Sequence, residues 1–430
     1  MMIKEYLKLF RNNLVKFSIF FFVKFNLPYF VALILYFQSE KSKSTDKYQI
    51  LYLSKPVFND DVSAIREKSK KLLFKKFPRL SLSVICKFFL PDFNSYNDAN
   101  YHVMVKDSLN VDMLRTFLNK VIIFYRRFNH FDAVLAGNFV YTQQQELFLV
   151  LKNLKIPSII IYKEGMLPIS KFKSAKDFLY KTKVFRADHI MFYNNFIRDT
   201  LVDVGMPGLN LSKTSVVGLP RFDSYFKNEF FKKTSKQIVL FSFEPYEKGS
   251  YLVDDKKQFK SFEKEVLKFH LLFAKFCEIN KEYKLVVKTK GSQRAIDYAS
   301  KIFSDYRKII GDRLIISSSI LANDLITSSS HIAGFSSTTL IEGLALNKKI
   351  ICPKFSPSVI KKENDLLHPY QKLASYVLTY PDLLTAFSKG NIRNKTLKKK
   401  FIRERVYKDD GKSSLRAEQC IINVIKNYKN

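Results

Sequence analysis

The sequence predicts an α/β protein built from two doubly wound domains, each a parallel sheet with helices on both faces. The chain has 430 residues, a length that suits two domains. Strand patterns and helix patterns alternate along most of the chain, as is typical of parallel sheets. The alternation stops near residues 225–235 and then begins again. We therefore expect one sheet before this break and a second sheet after it.

The first series of elements begins with the apolar run YQILYLS (48–54), which predicts a buried strand. A helix pattern follows over DVSAIREKSKKLLFKKF (61–77). FDAVLAGN, TQQQELFLVLKNLK and IPSIIIYKEG then predict a strand, a helix and a strand, which is a parallel β-α-β unit. The remaining members of this series are a strand at 187–194, an amphipathic helix at 195–205 and a strand at 214–223.

The second series predicts strands at 236–245, 283–291 and 313–319, with a long helix at 256–280. A helix that starts near Ser337 or Thr338 and a strand at Lys349–Ile351 continue it. We expect an N-terminal domain at 46–228, a C-terminal domain at 229–400 and a helical last segment at 401–430.

The first 45 residues are basic and apolar, and LVKFSIFFFVKFNLPYFVALILYF (14–37) is long enough to raise the question of a membrane span. Lys24, Asn26 and Pro28 interrupt it, and a central lysine alone costs roughly 2.5–3.5 kcal/mol of insertion. No small-residue cleavage site follows, so a signal peptide is not predicted. We expect two short helices broken at Pro28. They would lie in a membrane interface, or pack on the first domain as a buried pair.

The chain carries 73 Lys and Arg against 39 Asp and Glu, a formal charge of +34. This charge favours anionic partners, although a general drift of composition toward lysine would also produce it. The basic residues are scattered and no nucleic-acid-binding motif is visible, so we predict no nucleic-acid partner. Cys86, Cys277, Cys352 and Cys420 have no metal-ligand spacing and are interpreted as structural thiols of a cytoplasmic protein.

The stretch FSSTTLIEGLALNKKII (335–351) places four hydroxyls where a helix begins, which is typical of an anion site. Thr338 and Glu342 are four residues apart and share a helix face. A phosphate would rest on the hydroxyls and the first amides while Glu342 accepts hydrogen bonds from ribose. The alternative is a capping box between Thr339 and Glu342, which needs no ligand. The four hydroxyls belong to Ser336, Ser337, Thr338 and Thr339.

Three motifs carry a family resemblance: VVGLPRFD (216–223), the stretch at 335–351, and DDGKSSLR (409–416). Because these three motifs occur in this order, residues 130–425 resemble the two-domain GT-B glycosyltransferases of bacterial surface and capsular polysaccharide synthesis. Among these enzymes, they resemble especially the group that looks like the CDP-glycerol glycerophosphotransferases. The resemblance implies two Rossmann-like domains that face a cleft. The C-terminal domain would bind the nucleotide, the acceptor would approach the N-terminal domain, and the last helix would cross back to it.

Polar residues at the predicted strand ends are candidates for roles in sugar transfer. Glu164 would take the proton from an acceptor hydroxyl, unless it forms a salt bridge with a neighbouring lysine. Lys288 and Lys290 would counter the charge of the leaving phosphate without a metal, and no Asp-x-Asp pair or cofactor motif is present. The residues expected to bind the donor are Ser242, Glu244, Ser336, Ser337, Thr338, Thr339 and Glu342.

The sequence departs from the glycerophosphotransferase pattern at two places. That group is expected to have a His-Gly pair where this chain has Glu164-Gly165, and a Lys-x-His-Pro where it has Lys288-Thr289-Lys290-Gly291. A carboxylate at the first place favours sugar transfer over polyol-phosphate transfer. Four further residues could border the cleft or serve the architecture only: Arg221, His331, Lys412 and Arg416.

The function predicted from these observations is a metal-independent glycosyltransferase that uses a nucleoside mono- or diphosphate sugar. Its acceptor would be a glycan or a lipid-linked glycan of a surface polysaccharide or lipopolysaccharide, met at the inner face of an anionic cytoplasmic membrane. Three alternatives stay open: a CDP-glycerol or ribitol-type polyol-phosphate transferase, a non-hydrolysing sugar-nucleotide epimerase, and a non-catalytic membrane-associated scaffold. The epimerase needs several acids and histidines around the sugar, of which the chain supplies few at strand ends.

Overall fold

The computed structural model describes residues 2–40, 46–90, 101–105, 108–162, 183–226, 235–245, 256–335, 337–357, 359, 370–388 and 395–429. These residues form two compact units. The first unit holds the described residues of Met1–Gly165, Phe172–Asp223 and Glu404–Asn430, and the second holds those of Ser224–Arg403.

Each unit contains one six-stranded sheet in which all paired strands are parallel. The order is β2-β1-β3-β4-β5-β6 in the first unit and β12-β11-β10-β7-β8-β9 in the second. All residues of β3 and β4 are buried, as expected where helices cover both faces of a parallel sheet. The strands are β1 (Tyr48–Leu53), β2 (Leu72–Phe77), β3 (Ala133–Ala136), β4 (Ser158–Ile161), β5 (His189–Phe192), β6 (Thr214–Val216), β7 (Ser235–Phe241), β8 (Lys284–Lys288), β9 (Leu314–Ser317), β10 (Ser329–Gly334), β11 (Lys349–Pro353) and β12 (Ser375–Val377).

Helices connect the strands, and short 3-10 turns lie at Thr142–Gln144, Leu211–Lys213, Pro220–Phe222, Gly311–Arg313 and Gln371–Leu373. The α-helices of the first unit are α1 (Met2–Lys24), α2 (Pro28–Gln38), α3 (Pro56–Lys68), α4 (Arg79–Phe89), α5 (Tyr101–Met104), α6 (Leu109–Phe128), α7 (Gln145–Asn153) and α8 (Asn195–Asp203). The α-helices that follow are α9 (Asp223–Phe226), α10 (Lys256–Ile279), α11 (Gln293–Ile302), α12 (Ser304–Ile310), α13 (Ala322–Ser328), α14 (Thr338–Ala345), α15 (Tyr380–Ser388), α16 (Lys395–Val406) and α17 (Ser413–Lys429).

The prediction of one helix over residues 61–77 is wrong in its second half. The helix ends at Lys68, and Leu72–Phe77 form β2 beside β1. Lys75 is buried in this strand, where its ammonium donates to Asn129 Oδ1 at 2.6 Å and to the His130 carbonyl at 3.2 Å. The acceptors that allow Lys75 to be buried lie more than 50 positions away, so LLFKKF by itself does not reveal a strand.

The predicted break of the N-terminal segment at Pro28 is confirmed. α1 ends at Lys24, and α2 begins at Pro28, where the missing proline amide costs no helix hydrogen bond. α1 packs on α4 and α2 packs on α6, so one face of this hairpin belongs to the core of the first unit. Its buried side chains are Ile19, Val23, Val31, Ala32 and Leu35. Across the described residues, none of the helices combines the length and apolar character that a membrane crossing needs.

The four cysteines are free thiols, three buried and Cys420 half-buried, in agreement with the structural role predicted for them. The core of the second unit packs between the sheet and helices α10, α11 and α15, with Phe273, Leu285 and Phe303 at its centre. This core fixes the strand ends from which the polar side chains of the candidate site project.

Candidate functional site

The second sheet has a topological switch between β7 and β10. The chain builds β7, β8 and β9 in one direction and then returns to place β10 on the other side of β7. Ligands of open parallel sheets bind beyond the carboxyl ends of the strands at such a switch. The loops after these two strands are in contact, because the ring centroids of Phe243 and Phe335 lie 5.4 Å apart. The predicted donor-binding residues that the structure describes follow these two strands. Lys288 is the last residue of β8, which lies next to β7.

Ser242, directly after β7, is paired with a histidine from α10. The Ser242 hydroxyl lies 3.1 Å from Nε2 of His270, whose Nδ1 lies 2.7 Å from the Val266 carbonyl. A carbonyl only accepts, so Nδ1 carries the ring proton and Nε2 accepts from Ser242. Burial lowers the pKa of His270 to about 4 and keeps the ring neutral at pH 7. Ser242 therefore offers oxygen lone pairs to a ligand, which suits a hydroxyl or N–H group better than a phosphate oxygen.

Glu244, two residues further on, uses only part of its carboxylate. Oε1 accepts from Arg294 Nε of α11 at 2.6 Å. Its other oxygen is buried without a hydrogen-bond partner among the described residues, as are the hydroxyls of Thr289 and Tyr298. Burial, with the charges of Glu263 and Glu244, raises the pKa of Tyr298. A buried polar atom without a partner costs about 1–3 kcal/mol, so these three atoms favour a bound polar group at this end of the sheet.

Lys288 is the last residue of β8 and is half-buried. Its ammonium donates to the carbonyls of Thr289 at 2.8 Å and Ser318 at 3.0 Å. Burial lowers its pKa. An ammonium has three N–H donors, so within the described part of the chain one is left for a ligand. Lys290 lies in the following loop with an exposed side chain.

Helix α14 begins at Thr338, within the range predicted. Ser337 is its N-cap, with a hydroxyl 3.4 Å from the Thr339 amide and 2.7 Å from the Thr339 hydroxyl. The capping box between Thr339 and Glu342 is therefore wrong, because Thr339 is already inside the helix. The half-buried Thr338 hydroxyl has no hydrogen bond to any residue that the structure describes. Ser336 lies outside the described residues.

Glu342 is buried on α14 and lies against Tyr225. The Tyr225 hydroxyl is 2.9 Å from Glu342 Oε2 and 2.9 Å from Asn323 Oδ1, and its single proton can go to only one of them. The next residue, Gly343, lets α14 approach the sheet. A Cβ at Gly343 would lie 2.5 Å from Ile332 Cδ1 of β10. This close packing holds the start of α14 at the end of β10.

Three predicted residues lie in the first unit, and the side chains of two of them, Arg221 and Arg416, are engaged there. Arg221 Nη1 pairs with the fully buried Asp61 at 2.9 Å. Arg416 donates to the Val217 carbonyl at 2.8 Å and to both carboxylate oxygens of Asp410. The Lys412 side chain is exposed. These contacts describe a structural role for Arg221 and Arg416.

Helix α17 is joined to the VVGLPRFD loop by its first turn. The buried Asp223 carboxylate accepts from the amides of Ser413 at 2.8 Å and Ser414 at 2.7 Å, so the cap comes from a distant part of the chain. Gly218, with φ of +84°, leaves room for this contact, because a Cβ there would lie 2.5 Å from Ser413 Oγ. The motif therefore serves the architecture of the first unit.

His331, for which the sequence left open a place at the cleft or a purely structural role, lies in the core. His331 lies three residues before the carboxyl end of β10, buried, with its ring stacked on Phe387 of α15 at 4.1 Å. Burial and the charge of Lys349 lower the pKa of His331 to about 3. It belongs to the core beneath the strand end. Glu164 lies outside the described residues.

Sequence reasoning missed three residues of this site: Tyr225, His270 and Tyr298. The apolar spacing of 256–280 marked the buried face of α10, and a histidine on that face was a signal for a polar partner at a strand end. No local signal connects Tyr225 with Glu342, because 117 positions separate them in the sequence.

No protein-family model and no curated protein matches the sequence. Solved structures are similar in fold. One is a UDP-N-acetylglucosamine 2-epimerase, with TM-score 0.50, 11% identity, and coverage of 88% of this chain and 96% of that one. Another is a putative UDP-N-acetylglucosamine 2-epimerase from Listeria monocytogenes, with TM-score 0.50, 12% identity, and coverage of 89% and 98%. A UDP-forming α,α-trehalose-phosphate synthase from Burkholderia xenovorans follows at TM-score 0.44, 11% identity, and coverage of 90% and 100%.

Identities this low show the fold alone. The fold is that of two Rossmann-like α/β units of GT-B type, and the predicted fold class is confirmed. Among the described residues, no group of three His, Cys, Asp or Glu side chains is placed to hold a metal ion.

Proposed function

We propose that this chain is a GT-B-type enzyme that binds a nucleotide-activated sugar at the switch of its second sheet and transfers the sugar to a glycan or lipid-linked acceptor. The observation that supports this proposal is a set of buried polar atoms beyond β7 and β8 that have no hydrogen-bond partner among the residues the structure describes. They belong to Glu244, Thr289 and Tyr298. A bound polar ligand would relieve their desolvation cost.

The polar atoms fall into two chemical kinds. Ser242 and Glu244 present acceptors, which match the hydroxyl and N–H groups of a sugar or nucleoside. The first turn of α14, with the Thr338 hydroxyl, and the Lys288 ammonium present donors, which match phosphate oxygens. A nucleotide sugar carries both kinds of group. Glu342, held by Tyr225, would accept from ribose hydroxyls.

In the proposed reaction, an acceptor hydroxyl attacks the anomeric carbon while the bond from this carbon to the phosphate oxygen breaks. The electron pair leaves with the phosphate, whose growing charge the α14 amides and Lys288 would stabilise. The acceptor proton passes to a general base, for which Glu164 is the predicted residue.

Two further candidates each have a supporting observation. The fold neighbours at TM-score 0.50 carry the name UDP-N-acetylglucosamine 2-epimerase, which favours an epimerase that works without an acceptor. The three sequence motifs resemble the glycerophosphotransferase-like group, which favours polyol-phosphate transfer. Incubation with UDP-N-acetylglucosamine alone, followed by NMR at the C2 position, tests the first. Product release from CDP-glycerol tests the second.

Titration calorimetry with CMP-, CDP-, UDP- and GDP-linked donors tests the proposal directly. Thr338→Val removes the open hydroxyl with little change of shape, and we expect donor binding to weaken by about 1.5–3 kcal/mol if the hydroxyl donates to phosphate. Thr385→Val, an exposed threonine on α15, is the matched control and should bind as the parent does. If both variants bind the donor equally well, the hydroxyls at the start of α14 serve only to cap the helix. If no donor produces heat, the result favours a non-catalytic scaffold.

A further inference from the structure

The N-terminal hairpin, α1 with α2, is apolar on two opposite faces. With about 100° per residue, Phe10, Leu14, Phe17 and Phe21 of α1 fall within about 60° of one another. Ile19 and Val23, which pack into the unit, fall roughly opposite. The first group is exposed, with Phe17 68% accessible. A helix that only served the core would carry polar side chains on this outer face.

The second helix repeats this pattern. α2 (PYFVALILYFQ) contains no charged residue, although only one side of it is buried. Its outer side exposes Tyr29, Phe30 and Phe37, the last 65% accessible. Phe22 of α1 stacks on Phe30 at 5.0 Å, and Tyr29 packs on Phe124 of α6 at 5.5 Å. The exposed aromatic side chains of the two helices are therefore neighbours on one surface of the first unit.

Basic residues accompany this aromatic surface. Residues 1–37 contain five basic residues (Lys4, Lys8, Arg11, Lys16, Lys24) and one acidic residue, Glu5. Arg11, Lys16 and Lys24 are exposed on α1, and Lys120 and Arg127 are exposed on α6. An apolar surface beside cations suits an interface where acyl chains lie under anionic headgroups.

We propose that the outer face of the α1–α2 hairpin docks the protein on anionic lipid membranes, lying in the interface without crossing it. Charge decides between this occupant and a second copy of the chain. Each chain carries a formal charge of +34, so pairing two copies through basic hairpins adds repulsion, whereas an anionic bilayer adds attraction. The helices also lack the length and apolar character of a span within the described residues. This inference does not depend on the proposed function.

Vesicle co-sedimentation of the full chain tests the inference. The parent should bind phosphatidylcholine vesicles that contain phosphatidylglycerol and should bind pure phosphatidylcholine more weakly. Raising the salt from about 0.1 to 0.5 M should weaken the binding without abolishing it, because salt screens the charges and leaves the apolar part. The triple variant Phe10→Gln, Phe17→Gln, Phe21→Gln should bind anionic vesicles about 100-fold more weakly, since it removes three apolar side chains from the interface.

The matched control replaces three equally exposed apolar residues elsewhere, Leu211→Gln, Ile309→Gln and Leu321→Gln, and should bind as the parent does. Circular dichroism melting confirms that the compared variants are folded. Should the hairpin variant fail to fold, Arg11→Glu, Lys16→Glu and Lys24→Glu replace it, with the same loss of binding expected. Three results would overturn the proposal: a parent that ignores anionic vesicles, a folded hairpin variant that sediments with them as the parent does, or a parent that only dimerises through this face in sedimentation velocity.

Discussion

The loop after β6 and the loop after β10 occupy corresponding places, each beyond the carboxyl ends of the strands of a parallel sheet. They differ in whether their polar side chains are already hydrogen-bonded. After β6, Arg221 is paired with Asp61, and Asp223 caps α17. After β10, the Thr338 hydroxyl has no partner among the described residues. A polar group already satisfied inside its unit stabilises the fold, while one left open is available to a ligand.

The same difference separates two other polar groups of this molecule. In the first unit, the buried Glu146 carboxylate is held by Arg115, Arg186 and Tyr101. In the second unit, Glu244 has one arginine partner and one buried oxygen without a partner in the described part of the chain. We therefore expect substitutions in the first group to change the free energy of unfolding, and those in the second to change ligand affinity.

The largest effect is expected from Arg221→Met. The substitution leaves the buried Asp61 carboxylate with Tyr193, whose hydroxyl lies 2.5 Å away, but without its cation. Removing one partner of a buried ion pair typically costs about 3–5 kcal/mol. Urea unfolding of the full chain should show this loss, while donor affinity stays at the parent value. Arg198→Met, which breaks a surface pair with Asp199, is the matched control and should cost less than about 1 kcal/mol.

An Arg221→Met variant with parental stability and weakened donor binding would contradict the division between the two loops. It would place the VVGLPRFD motif among the ligand-binding residues.

A smaller loss is expected from Asp223→Ala, which removes the cap of α17. Loss of an ordinary helix cap costs about 0.5–2 kcal/mol, and a buried donor left without an acceptor costs about 1–3 kcal/mol. Because the capped amides are buried, we expect a loss of about 2–3 kcal/mol. Asp382→Ala provides the comparison. Asp382 is exposed and accepts from the amides of Leu378 and Thr379 at the start of α15. Its replacement should cost about 1 kcal/mol.

Thermal melting with urea titration measures both losses. Equal costs for the two aspartates would mean that burial of the Asp223 cap contributes little. The contrast between a buried architectural loop and an exposed helix cap would then be lost.

Sequence reasoning reached the fold class because strands covered on both faces are continuous apolar runs, and these are visible without an alignment. It also found the break at Pro28 and the polar residues after β7, β8 and β10, since strand ends follow from the strand pattern. It missed β2 because the buried Lys75 looks exposed until Asn129 is known to accept from it. It missed His270 and Tyr225 because each depends on a partner far away in the sequence.

The borders of the open site could not be predicted for the same reason. His331 comes five positions before Ser336, where the run of hydroxyls begins, and this proximity in sequence suggested a place near the site. A strand places residues three positions apart about 10 Å from one another. His331 therefore lies with Phe387 in the core, while Gly334 ends the strand. A few positions along a strand are therefore enough to separate a buried side chain from one that can face a ligand.

The smallest expected effect concerns His331 and the pH dependence of the free energy of unfolding. The pKa of His331 is about 3 in the folded chain, because burial and Lys349 disfavour the charged ring, and the ordinary value is 6.5. The unfolded chain thus binds more protons between these two values. The stabilisation is complete above pH 6.5 and is lost as the pH falls toward 3. At 1.36 kcal/mol per unit of pKa, His331 alone should lower the free energy of unfolding by about 2 kcal/mol between pH 7 and pH 5.

His331→Phe keeps a ring against Phe387 and removes the titrating group, so its urea midpoint should fall less than that of the parent between these pH values. Its donor affinity at pH 7 should equal that of the parent, because the side chain lies in the core. His130→Phe is the control for the loss of a surface histidine: this side chain is 56% exposed, and its variant should keep the donor affinity of the parent. If a His331→Phe variant loses donor binding while keeping its stability, the ligand site extends into β10 and includes His331. The open loop would then include the strand beneath it.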